Sequence, residues 1–220
     1  MTSFSTLHRI RLRQTFWRYS RVAMAVVVSL LLASPGRLIG EDDQAAAAKE
    51  YRRQRIHSWL LSHDERAGAA AVLAHRILHE SEKNSLDPVL ILALIQVESR
   101  FDNSAVSSRG AQGLMQVKPV VVAELVAEGI LPERAERDLK DPLVNVQIGI
   151  SYLAYLNAMF GDLEVALVAY NWGPTRIRQK IAAKESLPTA YAAQVLSVHR
   201  SLEYQLAQND FASESPGASG

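Results

Sequence analysis

The chain has 220 residues, is 48% hydrophobic, and has 24 basic and 23 acidic side chains. This length and apolar content allow one buried core. Residues 1–40 contain six arginines and no acidic residue, which leaves 18 basic and 23 acidic side chains in residues 41–220. Because that part is mildly acidic, nucleic acid is excluded as its expected partner.

The first 40 residues have the pattern of an export signal. Arginines precede an apolar run of 12 residues, 22–33, which is short for a membrane span and suits a signal peptide. A buried core helix is the alternative, and an uncleaved membrane anchor stays open because no clear cleavage motif follows. The chain has no cysteine, so neither a disulfide nor a lipidated cysteine is expected. The sequence predicts a periplasmic or envelope protein that meets the membrane only through this segment.

Helical patterns dominate the rest of the chain. Residues 41–71 form a predicted helical extension with an apolar stripe at Ile56, Trp59 and Leu60. Asp87 with Pro88 predicts an N-cap and first helical position before an almost wholly apolar run that ends near Glu98.

The same N-cap motif, Asp followed by Pro, recurs at Asp141 and Pro142. It predicts the start of a second helix, which ends at Gly161. Asp162 is expected to cap the next helix, which ends before Gly173, and a last helix is expected from about residue 189 to residue 208. The prediction is an all-α domain over residues 72–207, after the 41–71 extension, with a disordered tail at 208–220.

Glu98 is the candidate catalytic residue. It stands at the last turn of the apolar helix, where both desolvation and the negative helix terminus raise the pKa of a carboxyl group. A protonated carboxyl in a half-apolar cleft can act as general acid on a glycosidic oxygen. The alternative is a structural Glu98 that caps the helix or pairs with Arg100 or Arg109.

A loop of small and polar residues follows Glu98. Gly110 and Gly113 would let its backbone approach a ligand closely. The loop and its flanks also supply hydroxyl and amide groups of the kind that bind sugars, at Ser99, Ser107, Ser108 and Gln116. Further along, Tyr170, Asn171 and Trp172 form an aromatic and amide cluster suited to pyranose rings, although core packing is the alternative for each aromatic ring.

The motif "ESRFDNSAVSSRGAQGLMQ" resembles the signature of the soluble-type lytic transglycosylases, which are related to goose-type lysozyme. The resemblance extends through "NVQIGISYL" and "VALVAYNWGP" to "LPTAYAAQVL", and so covers about residues 72–200. The sequence departs from the usual family pattern at three positions, Lys118, Val121 and Trp172.

The resemblance implies an all-α, lysozyme-like SLT domain with a saccharide-binding cleft. It gives Glu98 the acid/base role and places Ser107 near it, with Tyr170 and Asn171 across the cleft. The other residues that it assigns to substrate binding are Ser99, Gly113, Leu114, Met115, Gln116 and Tyr191.

The implied reaction needs one carboxyl group. Most glycosidases use two, but here Glu98 would protonate the oxygen that leaves N-acetylmuramic acid, and the sugar's own C6 hydroxyl would close on C1. Asp102, the nearby acid, would give hydrolysis if it positioned a water; it is interpreted instead as a residue that starts the loop.

His75 and His79 are spaced like zinc ligands on a helix, but Glu80 is in the wrong order for a metalloprotease and no third ligand is evident. No metal or cofactor is therefore expected.

The predicted function is an exported peptidoglycan lytic transglycosylase that acts in wall remodelling or opens the wall for a secretion, pilus or conjugation apparatus. The alternatives are a lysozyme-type hydrolase and a non-catalytic peptidoglycan-binding protein.

Overall fold

The computed structural model describes residues 40–63, 67–133 and 138–214. Within these ranges the chain forms eight α-helices and no β-strand, so the predicted all-α class is confirmed. The predicted leader, residues 1–39, and the last residues of the tail, 215–220, lie outside the described residues. The helices are α1 (Glu41–His63), α2 (Ala67–Lys83), α3 (Pro88–Glu98), α4 (Pro119–Ala127), α5 (Pro142–Phe160), α6 (Leu163–Trp172), α7 (Pro174–Ala182) and α8 (Ala190–Glu214).

The predicted caps begin and end the helices around the site. The side chain of Asp87 accepts a hydrogen bond from the backbone N–H of Val89 at the start of α3, and Asp141 caps α5 in the same way. Asp162 accepts from Val165 at the start of α6, and Gly161 ends α5 in the left-handed conformation at φ 65°. Each side-chain cap satisfies a backbone donor that the helix itself leaves unpaired.

The apolar helix α3 lies at the centre of the domain, as its composition predicts. Every residue from Val89 to Ile95 is buried. The helix packs most extensively against α8 and also contacts α2, so it presents no solvent-facing stripe. Glu98 is thereby carried at the end of the most enclosed element of the fold.

The compact unit begins earlier than the predicted domain boundary at residue 72. Ile56, Trp59 and Leu60 of α1 are buried in the same core as α3, and the Trp59 ring lies 5.7 Å from that of Phe101. Residues 50–63 of α1 therefore belong to the same compact unit as α3.

The C-terminal helix also runs further than predicted. Helix α8 ends at Glu214 rather than near residue 208, and the first helix-breaking residue in the sequence after it is Pro216. The expected disordered tail is therefore helical in its first residues. Two short helices, α4 and α7, were not predicted from the sequence; each begins at a proline in the first helical position.

Among the described residues, α5 alone is long and apolar enough to cross a membrane. Half of its most apolar stretch is buried inside the protein, and it packs against α2, α4 and α6. These contacts are those of a core helix.

Candidate active site

The loop between α3 and α4 is held by one buried side chain, Asn145 of α5. Its Oδ1 accepts from the backbone N–H of Met115 at 2.8 Å. Its Nδ2 donates to the carbonyl oxygens of Gln112 at 2.7 Å and Leu139 at 2.9 Å. Asn145 is fully buried, so its bonds to Met115 and Gln112 fix the loop to α5, and its bond to Leu139 holds the segment that precedes α5.

At two positions where the loop packs on α5, there is no room for a side chain larger than that of glycine. A Cβ on Gly113 would stand 2.4 Å from Asn145 Nδ2, and one on Gly149 would stand 2.5 Å from the sulfur of Met115. Gly113 also has φ 73°, a region that disfavours side chains. Gly113 is thus required by the packing of the loop on α5. That its backbone also approaches a ligand stays a prediction.

Glu98 lies at the C-terminal end of α3 and is half buried. Burial raises the pKa of its carboxyl group, while a hydrogen bond from Tyr191 and the charge of Lys118 lower it in part. The Tyr191 hydroxyl donates to Oε1 of Glu98. Among the described residues, neither Arg100 nor Arg109 forms an ion pair with Glu98. The alternative of a Glu98 that pairs with one of these arginines is therefore not observed.

Tyr170 stands close to the same carboxyl group. Its hydroxyl donates to the carbonyl oxygen of Met115 at 2.8 Å, and its ring lies 5.4 Å from that of Tyr152. Burial, followed by the charge of Glu98, holds the pKa of Tyr170 well above its ordinary value, and the same two causes act on Tyr191. Both tyrosines therefore stay neutral and act as hydrogen-bond donors, Tyr170 to Met115 and Tyr191 to Glu98.

Several predicted site residues hold the loop together. The Ser99 hydroxyl is buried 2.8 Å from the carbonyl oxygen of Leu114. Ser107 Oγ accepts from the N–H of Ala111 at 3.0 Å, and Gln116 Nε2 donates to the carbonyl oxygens of Ala105 and Gly113. These polar groups hold the shape of the loop beside Glu98 through its backbone.

Leu114 and Met115, which were assigned to substrate binding, have their side chains in the core. They are 2% and 0% exposed. Both side chains point inward because the Asn145 bonds and the Gly149 contact draw this segment onto α5. Their contribution to a cleft is limited to backbone atoms.

Asn171 and Trp172 are exposed at the end of α6, and Lys118 is half exposed at the start of α4. Sequence reasoning marked Lys118 and Trp172 as departures from the family, but it did not predict that the charge of Lys118 acts on Glu98.

The exposed carboxylate of Asp102 bonds within its own loop. Its Oδ1 accepts from the backbone N–H of Ser104 at 2.8 Å and from the Ser104 hydroxyl at 2.6 Å. These bonds lower the pKa of Asp102, which is fully exposed. The carboxylate is used to start the loop, as expected from its position. No carboxylate in the described part of the chain contributes to the pKa shift of Glu98.

His75 and His79, whose spacing is that of zinc ligands, lie one turn apart on α2. The rings of His75 and His79 stack 6.2 Å apart on an exposed face. Elsewhere in the described residues, ligand atoms of Asp87, His199 and Glu203 gather within 4.8 Å. The guanidinium of Arg52 binds both carboxylates of that group, so a cation already balances its charge.

Comparison with known proteins gives the family. The sequence model described as "Transglycosylase SLT domain" matches residues 76–192, more than half of the chain. The chain belongs to the SLT transglycosylase family. The matched stretch contains Glu98, the loop that follows it and Tyr170, and it ends directly after Tyr191.

Curated relatives of this SLT chain are lytic murein transglycosylases. It is 37% identical over 89 residues to the soluble lytic murein transglycosylase of Salmonella typhimurium, which covers 40% of this chain and 14% of the relative. It is 32% identical over 117 residues to the membrane-bound lytic murein transglycosylase E of Buchnera aphidicola, covering 49% and 55%. The chain thus matches only part of the length of these relatives.

Solved structures show the same lysozyme-like SLT fold. An inactive glutamate-to-glutamine mutant of lytic transglycosylase Slt from Pseudomonas aeruginosa superposes with a TM-score of 0.53 and 28% identity, covering 60% of this chain and 24% of that one. The 70 kDa soluble lytic transglycosylase of Escherichia coli gives 0.53 at 22% identity, covering 87% and 34%, which supports the fold alone.

Proposed function

We propose that this SLT-family chain is a peptidoglycan lytic transglycosylase. It cleaves the β-1,4 bond between N-acetylmuramic acid and N-acetylglucosamine and leaves a 1,6-anhydro end on the muramyl residue. The supporting observation is the half-buried Glu98 carboxyl, which accepts a hydrogen bond from a neutral tyrosine hydroxyl and, in the described part of the chain, has no ion-pair partner and no second carboxylate that acts on its pKa.

The reaction proceeds by two proton transfers on one carboxyl group. Protonated Glu98 gives its proton to the bridging oxygen, and the bond from that oxygen to C1 of the muramyl residue breaks. The C6 oxygen of the same sugar then bonds to C1, and its proton returns to Glu98. No water is consumed, because an intramolecular hydroxyl has an effective concentration that bulk water cannot match.

The surroundings of Glu98 support both protonation states in turn. Burial favours the neutral acid that starts the reaction. The Tyr191 hydroxyl and the Lys118 charge favour the carboxylate that must then act as base. A group that cycles between the two forms needs these opposing influences to be nearly balanced.

The expected setting is the cell envelope. The arginine-rich, apolar leader of the sequence supports export, with the substrate being peptidoglycan glycan strands. The enzyme would act in wall remodelling or in local wall opening for a secretion, pilus or conjugation apparatus.

Mass spectrometry of purified sacculi digested by the full chain tests the proposal. Products with 1,6-anhydro ends are expected; reducing ends, heavier by one water, would instead identify a hydrolase, and no product would identify a binding protein. Glu98→Gln is expected to lower the rate by about 10²–10⁴-fold while it still binds sacculi. The control is Glu164→Gln, an exposed glutamate of α6, which should retain the wild-type rate.

A further inference from the structure

A lysine occupies the N-cap position of α4, where its charge is unfavourable for the helix. The side chain of Lys118 makes no capping hydrogen bond and is half exposed. The N-terminal end of a helix carries partial positive charge, so a cation there lowers the stability of the helix. Within the part of the chain that the structure describes, Lys118 forms no ion pair that would offset this effect. A residue that breaks a local rule without a structural gain points to a role in function.

The backbone that carries Lys118 is held from both sides. Val117, the residue before it, exchanges two backbone hydrogen bonds with Gln112, at 2.9 and 3.0 Å. Pro119, the residue after it, restricts position 118 to extended backbone, and Lys118 has φ −92° and ψ 146°. The long side chain of Lys118 therefore starts from a fixed point.

That fixed point belongs to the loop that closes on the end of α3. The hydroxyl of Ser99, the residue directly after Glu98, donates to the carbonyl oxygen of Leu114 at 2.8 Å. Lys118 follows Leu114 by only four residues. The ammonium group is thus on the segment that the structure brings to the acid, and its charge acts on the Glu98 carboxyl.

Three ionisable side chains from three different elements act with the Glu98 carboxyl: Tyr191 of α8, Tyr170 of α6 and Lys118 before α4. Burial raises the pKa of Glu98, and the Tyr191 hydrogen bond and the Lys118 charge lower it. Both tyrosines stay neutral. Helix α2 also packs on α3, but its buried carboxylate, Glu80, pairs within its own helix. The charge that acts on Glu98 therefore comes from Lys118.

We propose that Lys118 stabilises the carboxylate that forms on Glu98 as it gives its proton to the bridging oxygen. This inference rests on the proposed function and names a positioning residue that acts on its first step through Glu98. The proton and the electron pair of the C1–O bond both go to the bridging oxygen. Negative charge appears on Glu98, positive charge appears on the muramyl residue, and Lys118 keeps its own protons. A fixed cation attracts the developing carboxylate more strongly than the neutral acid, which lowers the barrier.

The test compares three variants of the full chain on sacculi over a range of pH. Lys118→Met keeps an unbranched side chain without the charge. It should lower kcat about tenfold, leave KM within about twofold, and move the alkaline limb of kcat/KM to higher pH. Lys118→Arg keeps the charge and should keep the limb near that of wild type. Lys140→Met, the same change at an exposed lysine before α5, should match wild type throughout.

A thermal measurement separates this role from a structural one. In the Glu98→Gln background there is no carboxylate for Lys118 to attract. Adding Lys118→Met there should raise Tm by about 1–3 °C, because it removes a cation from the start of α4. A lower Tm would assign Lys118 to the structure of the loop. A rise in KM with an unmoved limb would assign it to an anionic group of the substrate. Either result, or an unchanged kcat, would overturn the proposal.

A titration that needs no turnover keeps this inference distinct from the proposed function. Carbon-13 NMR follows the Glu98 carboxyl in wild type and in Lys118→Met, and Glu98→Gln identifies its resonance. The carboxyl should titrate at higher pH in Lys118→Met than in wild type. If wild type releases no anhydro product, the proposed function fails by itself. If the titration is the same in both proteins, Lys118 does not stabilise the carboxylate and this inference fails by itself.

Discussion

The hydroxyl of Tyr191 donates a hydrogen bond to the carboxyl of Glu98, although the two residues are 93 positions apart in the chain. At the start of α3, the Asp87 carboxylate lies 2.8 Å from the ring of His199, which is about two turns further along α8 than Tyr191. Helix α3 and the first half of α8 are therefore antiparallel and joined at two points. The position and protonation of the acid depend on α8 as much as on its own helix.

The first prediction concerns Tyr191→Phe. Its hydroxyl stabilises the ionised form of Glu98, so its loss raises the pKa of that carboxyl further. In the proposed reaction the acid must be protonated, so activity should be lost as pH rises through this pKa, and the alkaline limb of kcat/KM should move to higher pH in the variant. The maximal rate should fall about tenfold, because the carboxyl loses the bond that orients it and that stabilises it as a base.

Tyr204→Phe is the matched control for this prediction, since Tyr204 is exposed on the same helix. Its pH profile should coincide with that of wild type. A Tyr191→Phe profile with an unmoved alkaline limb would show that the hydroxyl does not set the protonation of Glu98.

The second prediction is that Glu98→Gln stabilises the domain at neutral pH. The folded state raises the pKa of Glu98, so the folded chain binds this proton more tightly than the unfolded chain does. Stability is then lost as pH rises from the ordinary pKa of the carboxyl, 4.5, through its folded pKa, and the loss stays constant above that. Glutamine has no proton to lose and keeps the acceptor for Tyr191. The free energy of unfolding of the variant should be higher than that of wild type by on the order of 1 kcal/mol at neutral pH, which corresponds to about 2–4 °C in Tm.

Calorimetry of both proteins from about pH 4 to pH 8 checks this sign. The difference in Tm should be largest at neutral pH and should shrink towards zero as the solution is acidified. A variant that is less stable than wild type at pH 7 would mean that the carboxylate is favourably solvated or paired there.

The positions of the main helices could be predicted because their signals are local. Asp87, Asp141 and Asp162 each precede an apolar run, and a capping side chain acts within three residues of its own position. The single acid at the end of α3 was predicted for the same reason. Motif resemblance then supplied the fold around it.

Which side chains near Glu98 are buried in the core and which contact its carboxyl could not be predicted. Both depend on contacts between residues that are far apart in the sequence. The family resemblance assigned Leu114 and Met115 to substrate binding, yet their side chains are buried. The bond that draws this segment inward comes from Asn145, which is 30 positions away from Met115. Likewise, nothing near Tyr191 in the sequence indicates that its hydroxyl reaches Glu98. Such pairings appear only when the helices are packed.

The third prediction is that Tyr170→Phe lowers activity while the domain stays folded. The variant keeps the ring contact with Tyr152 but leaves the carbonyl oxygen of Met115 without its donor. We expect the free energy of unfolding to fall by about 1–3 kcal/mol and kcat/KM to fall roughly tenfold, because the loop loses a hydrogen bond that holds it beside Glu98. Tyr155→Phe, a change at a half-buried tyrosine of α5, should leave kcat/KM near wild type. If Tyr170→Phe instead unfolds the domain at 25 °C, the residue serves packing and not the cleft.

The fourth prediction separates backbone strain from steric contact at two glycines of one loop. Gly110 has φ 77°, and a Cβ added there would meet nothing within 4 Å. Gly113 has φ 73°, and a Cβ added there would stand 2.4 Å from Asn145. Gly110→Ala should therefore lower the free energy of unfolding by only about 1–2 kcal/mol, which is the strain of a left-handed backbone at a residue with a side chain.

Gly113→Ala should cost roughly 3 kcal/mol or more, because the new methyl group must displace Asn145 as well as strain the backbone. Displacing Asn145 breaks its bonds to Met115 and Gln112, so the wall of the cleft moves and activity should fall with stability. Urea unfolding and anhydro-product release, measured on both variants, check the two effects together. Equal losses of stability at Gly110 and Gly113 would show that the loop yields to the methyl group and that Asn145 does not fix its position.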